Sequence, residues 1–152
     1  ALLLGLGLAA SPPPPPRSSV VMALIDDWGS YDVAWRQQEL GRQPQLKTPV
    51  LDALVQQAAE LAPHFERTLH GLQGANHVLD IRNCGLAGAI QLAPRGTDPI
   101  IRPFEAGMAL WKAGFYVRFG GDTLQFGPTF NARPEDLDRL FDAVGSVLST
   151  LD

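Results

Sequence analysis

Cysteine occurs once, at Cys84, in a chain of 152 residues. A single thiol excludes an internal disulfide framework and any CxxC metal site. Lysine occurs only at Lys47 and Lys112, and there is no run of basic residues. With 16 acidic against 12 basic side chains the net charge is −4, which argues against a nucleic-acid partner. Long apolar runs are also lacking. The stretch ALLLGLGL from Ala1 to Leu8 falls short of the roughly 20 residues that a membrane-spanning helix needs. Apolar residues make up 45% and charged residues 18%, ordinary values that exclude wholesale disorder. The length suits one domain, or one with a small extension.

The apolar start is followed by the small residues Ala9-Ala10-Ser11 and then by five consecutive prolines, Pro12 to Pro16. It reads as the core and cleavage site of a secretory signal, or else as a frayed apolar tail. The proline run is expected to be an extended polyproline spacer. Val20 to Ile25 is a continuous, partly β-branched apolar run, as in a strand buried on both faces of a parallel sheet. It ends in Asp26-Asp27 and Trp28-Gly29, where α/β sheets place ligand sites. Paired carboxylates repel unless a cation or hydrogen bonds offset them, and calcium takes oxygen ligands of this kind. The alternative is a solvated strand end with a helix-capping aspartate. Thr48-Pro49 reads as the N-cap and first residue of a helix continuing through VLDALVQQ.

VVMALIDDWGSYDV followed by KTPVLDALV resembles the opening of the sulfatase family, over residues 19–55. The resemblance implies that Asp26 and Asp27 match the family's calcium-binding aspartates. It stops there. The family's nucleophile lies in a CxPSR-type motif, whereas the only cysteine here is in Asn83-Cys84-Gly85-Leu86-Ala87. No sulfate-ester hydrolysis carries over.

From Val50 to Leu72 the apolar residues Leu51, Leu54, Val55, Ala58, Leu61, Ala62 and Phe65 share one helical face. Pro63 is expected to bend or divide that helix, at about 3 kcal/mol if the turn stays regular, and Gly71 and Gly74 to end it. Val78 to Leu92 reads as two strands or one bent strand, with Gly85 and Gly88 allowing a bulge or close backbone packing. A helix is expected from Arg102 to Ala113, then a hairpin pairing Phe115–Arg118 with Thr123–Phe126 about Gly120-Gly121-Asp122. The last helix begins at Arg133-Pro134-Glu135-Asp136. This order predicts an α+β fold, a small antiparallel sheet with helices on one face. The strand-and-helix fragment of α/β type precedes it. Phe115, Tyr116, Phe119 and Phe126 read as core and cross-strand packing. His64, His70 and His77 lack metal-ligand spacing, and Gly85-Leu86-Ala87-Gly88 lacks the context of a dinucleotide fingerprint. Arg118, set among alternating apolar residues beside the glycine bend, reads as a buried arginine suited to holding an anion at a sheet edge.

AAELAPHFERTLHGLQGANHVLDIRNCGLAGAIQLAP and RPFEAGMALWKAGFYVRFGGDTLQFGPTFNARPEDLDRLFDAVG resemble the C-terminal domain of class III pyridoxal-phosphate aminotransferases. The resemblance covers residues 55–152 and implies the small domain of an enzyme that moves an amino group from an ω-amino acid to pyruvate. It implies homo-oligomeric parents acting on amino and keto acids. It also implies that Arg118 matches the family's carboxylate-binding arginine, whose planar fork suits bidentate pairing. The alternative for Arg118 is an ion pair with Asp122 or Glu105. Arg82 reads as structural. Transamination needs a lysine to hold the cofactor, and neither Lys47 nor Lys112 stands in such a context, so pyridoxal phosphate is expected in the parent family and not on these residues. The divisions expected are 1–18 (signal-like run and spacer), 19–54 (sulfatase-like) and 55–152 (aminotransferase-like). LDALV is common to both resemblances, so their junction falls inside one helix. Two other readings stand beside a transaminase fragment: the start of a secreted, calcium-dependent sulfatase, and a non-catalytic secreted module. The start points to secretion and the aminotransferase-like part to the cytoplasm.

Overall fold

The structure is a computed structural model that describes residues 34–43 and 47–152. The signal-like run, the proline spacer and the Val20–Ile25 segment with Asp26 and Asp27 lie outside the described residues.

A short helix α1 (Ala34–Glu39) leads to α2 (Pro49–His70), then strands β1 (Val78–Cys84) and β2 (Ala87–Leu92). Helix α3 (Ile101–Lys112), strands β3 (Arg118–Gly120) and β4 (Thr123–Phe126) and helix α4 (Pro134–Thr150) complete the order. The four strands form one antiparallel sheet in the order β1-β2-β4-β3. Ile81 faces Ile90, Ile90 faces Leu124, and Leu124 faces Phe119, so one row of apolar side chains crosses the sheet. Helices α2, α3 and α4 cover that face. Phe65, Leu69, Ile90, Leu92, Leu110, Leu124, Leu137, Val144 and Leu148 are buried together there. Phe141 packs its ring against both Phe65 and Phe126, at centroid distances of 5.6 and 5.3 Å. This is the α+β layer the sequence predicts.

Gly88 is a close-approach position. A Cβ there would stand 2.7 Å from Leu69 Cδ2 and 2.8 Å from Phe65 Cζ, so its missing side chain lets β2 lie against α2. Val78 to Leu92 is therefore a hairpin of two strands, turned at Gly85, whose φ of 55° is the left-handed region that glycine enters freely.

Three expectations are corrected and one is sharpened. Helix α2 is not divided at Pro63. The proline sits on the exposed side between the buried Leu61 and Phe65, so the carbonyl it leaves unpaired faces water while the apolar face stays docked. Thr48 is the N-cap residue and Pro49 the first residue of α2, as expected, although the Thr48 side chain makes no hydrogen bond to the helix backbone. Its hydroxyl donates to Asp52 Oδ1 (2.9 Å) and accepts the Ala34 N–H (3.0 Å), tying α1 to the start of α2. The hairpin strand begins at Arg118 rather than Phe115, because the Phe115 N–H still closes the end of α3 on the Leu110 carbonyl (2.9 Å). Tyr116 is exposed and lies edge-on to Trp111, at a centroid distance of 5.9 Å.

Candidate functional site

Among the described residues only one face of the sheet is covered by helices, and period-two alternation sends every other side chain to the opposite face. In register, Arg82 faces Ala89, Ala89 faces Gln125 and Gln125 faces Arg118, making one row across the open face. The neighbouring row runs Asp80, Gln91, Thr123, Gly120. Arg118 is exposed, which corrects the buried position expected for it. A strand of three residues at the sheet edge has nothing over its outer face among the described residues.

The alternative pairing of Arg118 with Asp122 or Glu105 is not made. The Glu105 carboxylate is held by Arg95, at 2.8 Å from both Nη1 and Nη2. Asp122 Oδ2 accepts a hydrogen bond from Gln91 Nε2 at 2.6 Å. Among the described residues the Arg118 guanidinium has neither an ion-pair nor a hydrogen-bond partner, and its donors stay free for a ligand. Arg82 donates to Asp80 at 3.0 Å on the same face, in keeping with a structural role. Gln125 stands directly across from Arg118, and its amide nitrogen would be 3.3 Å from a Cβ on Gly120, so that glycine leaves room for it. Gln91 and Gln125 were not singled out in the sequence. The alternation Leu124-Gln125-Phe126 carries the signal for Gln125, but only the pairing register brings it beside Arg118.

The three histidines are apart from this face. His64 Nε2 lies 2.7 Å from Asp138 Oδ1, tying α2 to α4. His70 pairs with Asn83 (2.9 Å), and His77 with the Leu151 carbonyl (3.1 Å). Among the described residues no group of three or more histidine, cysteine or acidic side chains could hold a metal ion. Cys84 is exposed and free. The calcium expectation rests on Asp26 and Asp27, outside the described residues. Among those residues no helix is long and apolar enough to cross a membrane.

Whether these residues could hold pyridoxal phosphate turns on the two lysines. Lys47 is exposed ahead of α2, and Lys112 is exposed in the last turn of α3. Helix α3 belongs to the covered side of the sheet, packed on Phe119, whereas Arg118 stands on the open side. An imine at Lys112 would be separated by the sheet from a carboxylate at Arg118. The described residues do not fit the cofactor.

The fold is that of a transaminase segment: the chain superposes on a transaminase solved with L-Ala at a TM-score of 0.61, with 23% identity, over 65% of this chain and 24% of that one. The sequence match to curated proteins is much stronger. The chain is 81% identical over 98 residues to β-alanine–pyruvate aminotransferase of Pseudomonas aeruginosa, and 78% identical over 98 residues to ω-amino acid–pyruvate aminotransferase of Pseudomonas putida. Both matches take 64% of this chain and 22% of the relative, so the chain spans about a fifth of the length of the curated relatives it matches. No protein-family model matches the chain. In sequence and in fold, about two thirds of the chain is similar to a segment of β-alanine/ω-amino acid–pyruvate aminotransferases.

Proposed function

We propose that residues 55–152 serve as the C-terminal domain of an ω-amino acid (β-alanine)–pyruvate transaminase, binding the substrate carboxylate at Arg118. The observation that carries this reading is an exposed, unpaired arginine on the open sheet face of a segment 81% identical to such an enzyme. A guanidinium offers two parallel N–H donors to a carboxylate, and each charge-assisted bond is stronger than a neutral one. Pyridoxal phosphate in the parent enzyme supplies the electron sink for the amino transfer. The present residues orient the carboxylate and contribute no Schiff-base lysine, so the 152-residue chain by itself is inactive on this reading.

The divisions at 18 and 54 belong to the same proposal. Within α2 no residue before Leu61 is buried, so the first half of the helix, where LDALV lies, runs ahead of the core. This supports a junction inside α2, because changes of sequence there disturb little packing.

A chimera tests the reading. The 98-residue segment replaces its counterpart in the Pseudomonas aeruginosa β-alanine–pyruvate aminotransferase, and transfer from β-alanine to pyruvate is assayed. The expected result is activity within about tenfold of the parent, or roughly 1.4 kcal/mol in transition-state free energy. A chimera that folds and binds cofactor but does not turn over would sink the proposal.

A further inference from the structure

The geometry points to Gln91 as a positioning residue that keeps Arg118 unpaired by holding Asp122 away from it. The inference rests on the reading of Arg118 as the carboxylate-binding group. Asp122 follows Arg118 by four residues, in the turn of the same hairpin. Asp80 is taken by Arg82 and Glu105 by Arg95. Left to itself, a turn aspartate beside an exposed arginine would occupy the guanidinium and compete with any incoming carboxylate.

Two bonds prevent this. Gln91 Nε2 donates to Asp122 Oδ2 at 2.6 Å, and the Leu92 N–H donates to the Asp122 carbonyl at 2.8 Å. Side chain and backbone of the turn are thus pinned to β2, one strand further from β3 than β4 is. Gln91 reaches the turn because it shares the open face and stands opposite Thr123, next to Asp122. The choice of side chain matters. An amide satisfies the carboxylate without adding charge, whereas lysine or arginine at this position would place a second cation on the face and divide the substrate carboxylate between two sites.

The size of the effect follows from competition. An exposed arginine–aspartate pair is weakly favourable, and a site occupied by it for part of the time loses affinity in proportion. Freeing Asp122 should therefore weaken carboxylate binding about three- to sixfold.

Two measurements separate this inference from the reading beneath it. In the 152-residue chain, the Arg118 Nε–Hε signal is followed by nuclear magnetic resonance. We expect Asp122→Asn alone to leave it in place, Gln91→Leu to shift it, and the double variant Gln91→Leu/Asp122→Asn to return it. An Arg118 signal that ignores Gln91→Leu, or that already responds to Asp122→Asn alone, overturns the inference whatever the chimera does. In the active chimera, Gln91→Leu should raise KM for β-alanine and pyruvate about three- to sixfold with little change in kcat. Adding Asp122→Asn should restore KM. A purely structural role for Gln91 would not be rescued by removing the charge at Asp122, so failure of rescue also overturns it. An inactive chimera with the expected resonance pattern would instead defeat the assignment of function and leave the Gln91–Asp122 clamp standing.

Discussion

Arg118 and Gln125 face each other across the β3–β4 ladder, and at this scale the candidate site is one side chain on the edge strand β3 and one on its inner neighbour β4. Removing a charged hydrogen-bonding group at a binding site costs about 1.5–3 kcal/mol. In the chimera, Arg118→Ala should therefore raise KM for β-alanine and pyruvate by between about tenfold and a hundredfold. Arg118→Lys should recover only part of this, because an ammonium lacks the planar fork. A KM unchanged by either substitution would remove Arg118 from the site. The position of Arg118 in the strand was legible from the sequence; its exposure was not. Apolar neighbours at Val117 and Phe119 made it look buried, but alternation turns those two toward the helices and Arg118 away from them.

The elements are held by devices of unequal visibility in the sequence. Gly88 could be read as a close-approach position, yet its neighbours Leu69 and Phe65 lie on α2, and only the docking of that helix names them. Gly88→Ala should destabilise the chain by about 1–3 kcal/mol, since the new methyl overlaps two buried side chains. A urea melt with an unchanged or higher midpoint would show that α2 yields at no cost. At the start of α4, the Asp136 carboxylate accepts the Arg133 N–H (3.2 Å) and guanidinium Nε–H (3.3 Å). The hydrogen bond from the Arg133 side chain, and then that from its backbone, hold the Asp136 carboxyl below its usual range. A depressed folded value contributes stability above the ordinary carboxylate range and loses it as pH falls through the folded value. The first turn of α4 should accordingly fray as the medium is acidified below about pH 4. Amide exchange across Glu135–Leu137 measures this, and Asp136→Asn should show the frayed behaviour already at neutral pH. Equal protection of wild type and variant at neutral pH would deny the cap. The acidic first turn was legible from the sequence, while Pro63 leaves α2 undivided because tertiary docking of Leu61, Phe65 and Leu69 outweighs one missing hydrogen bond.

At the scale of the whole fold, apolar surface is distributed unevenly among the described residues. Ile100, Phe104, Met108 and Trp111, at spacings of four, four and three residues, form one exposed stripe that begins at the residue preceding α3 and follows that helix. Tyr116 stands edge-on to Trp111 at the end of the stripe, and Phe104 lies against Phe119, which joins it to the sheet. Exposed apolar side chains gathered on one helix face offer a surface on which another chain can dock. The fold explains it, since helical periodicity buries Ala106 and Leu110 on the inner face and must then place the remaining large side chains outside. Composition could not show this, because the same 45% apolar content would serve a fully covered core. The 152-residue chain should associate as its concentration rises, with sedimentation velocity giving a weight-average mass above that of one chain. Phe104→Lys combined with Trp111→Gln should return it to a single species and lower the urea midpoint only slightly, because neither residue belongs to the buried core and only their ring contacts with Phe119 and Tyr116 are lost. A wild-type chain that stays monomeric at every concentration would mean that the stripe is too broken by its polar neighbours to act as one surface. A double variant that still associates would move the contact to the open sheet face, where Arg118 would then be covered and its carboxylate binding would weaken with protein concentration.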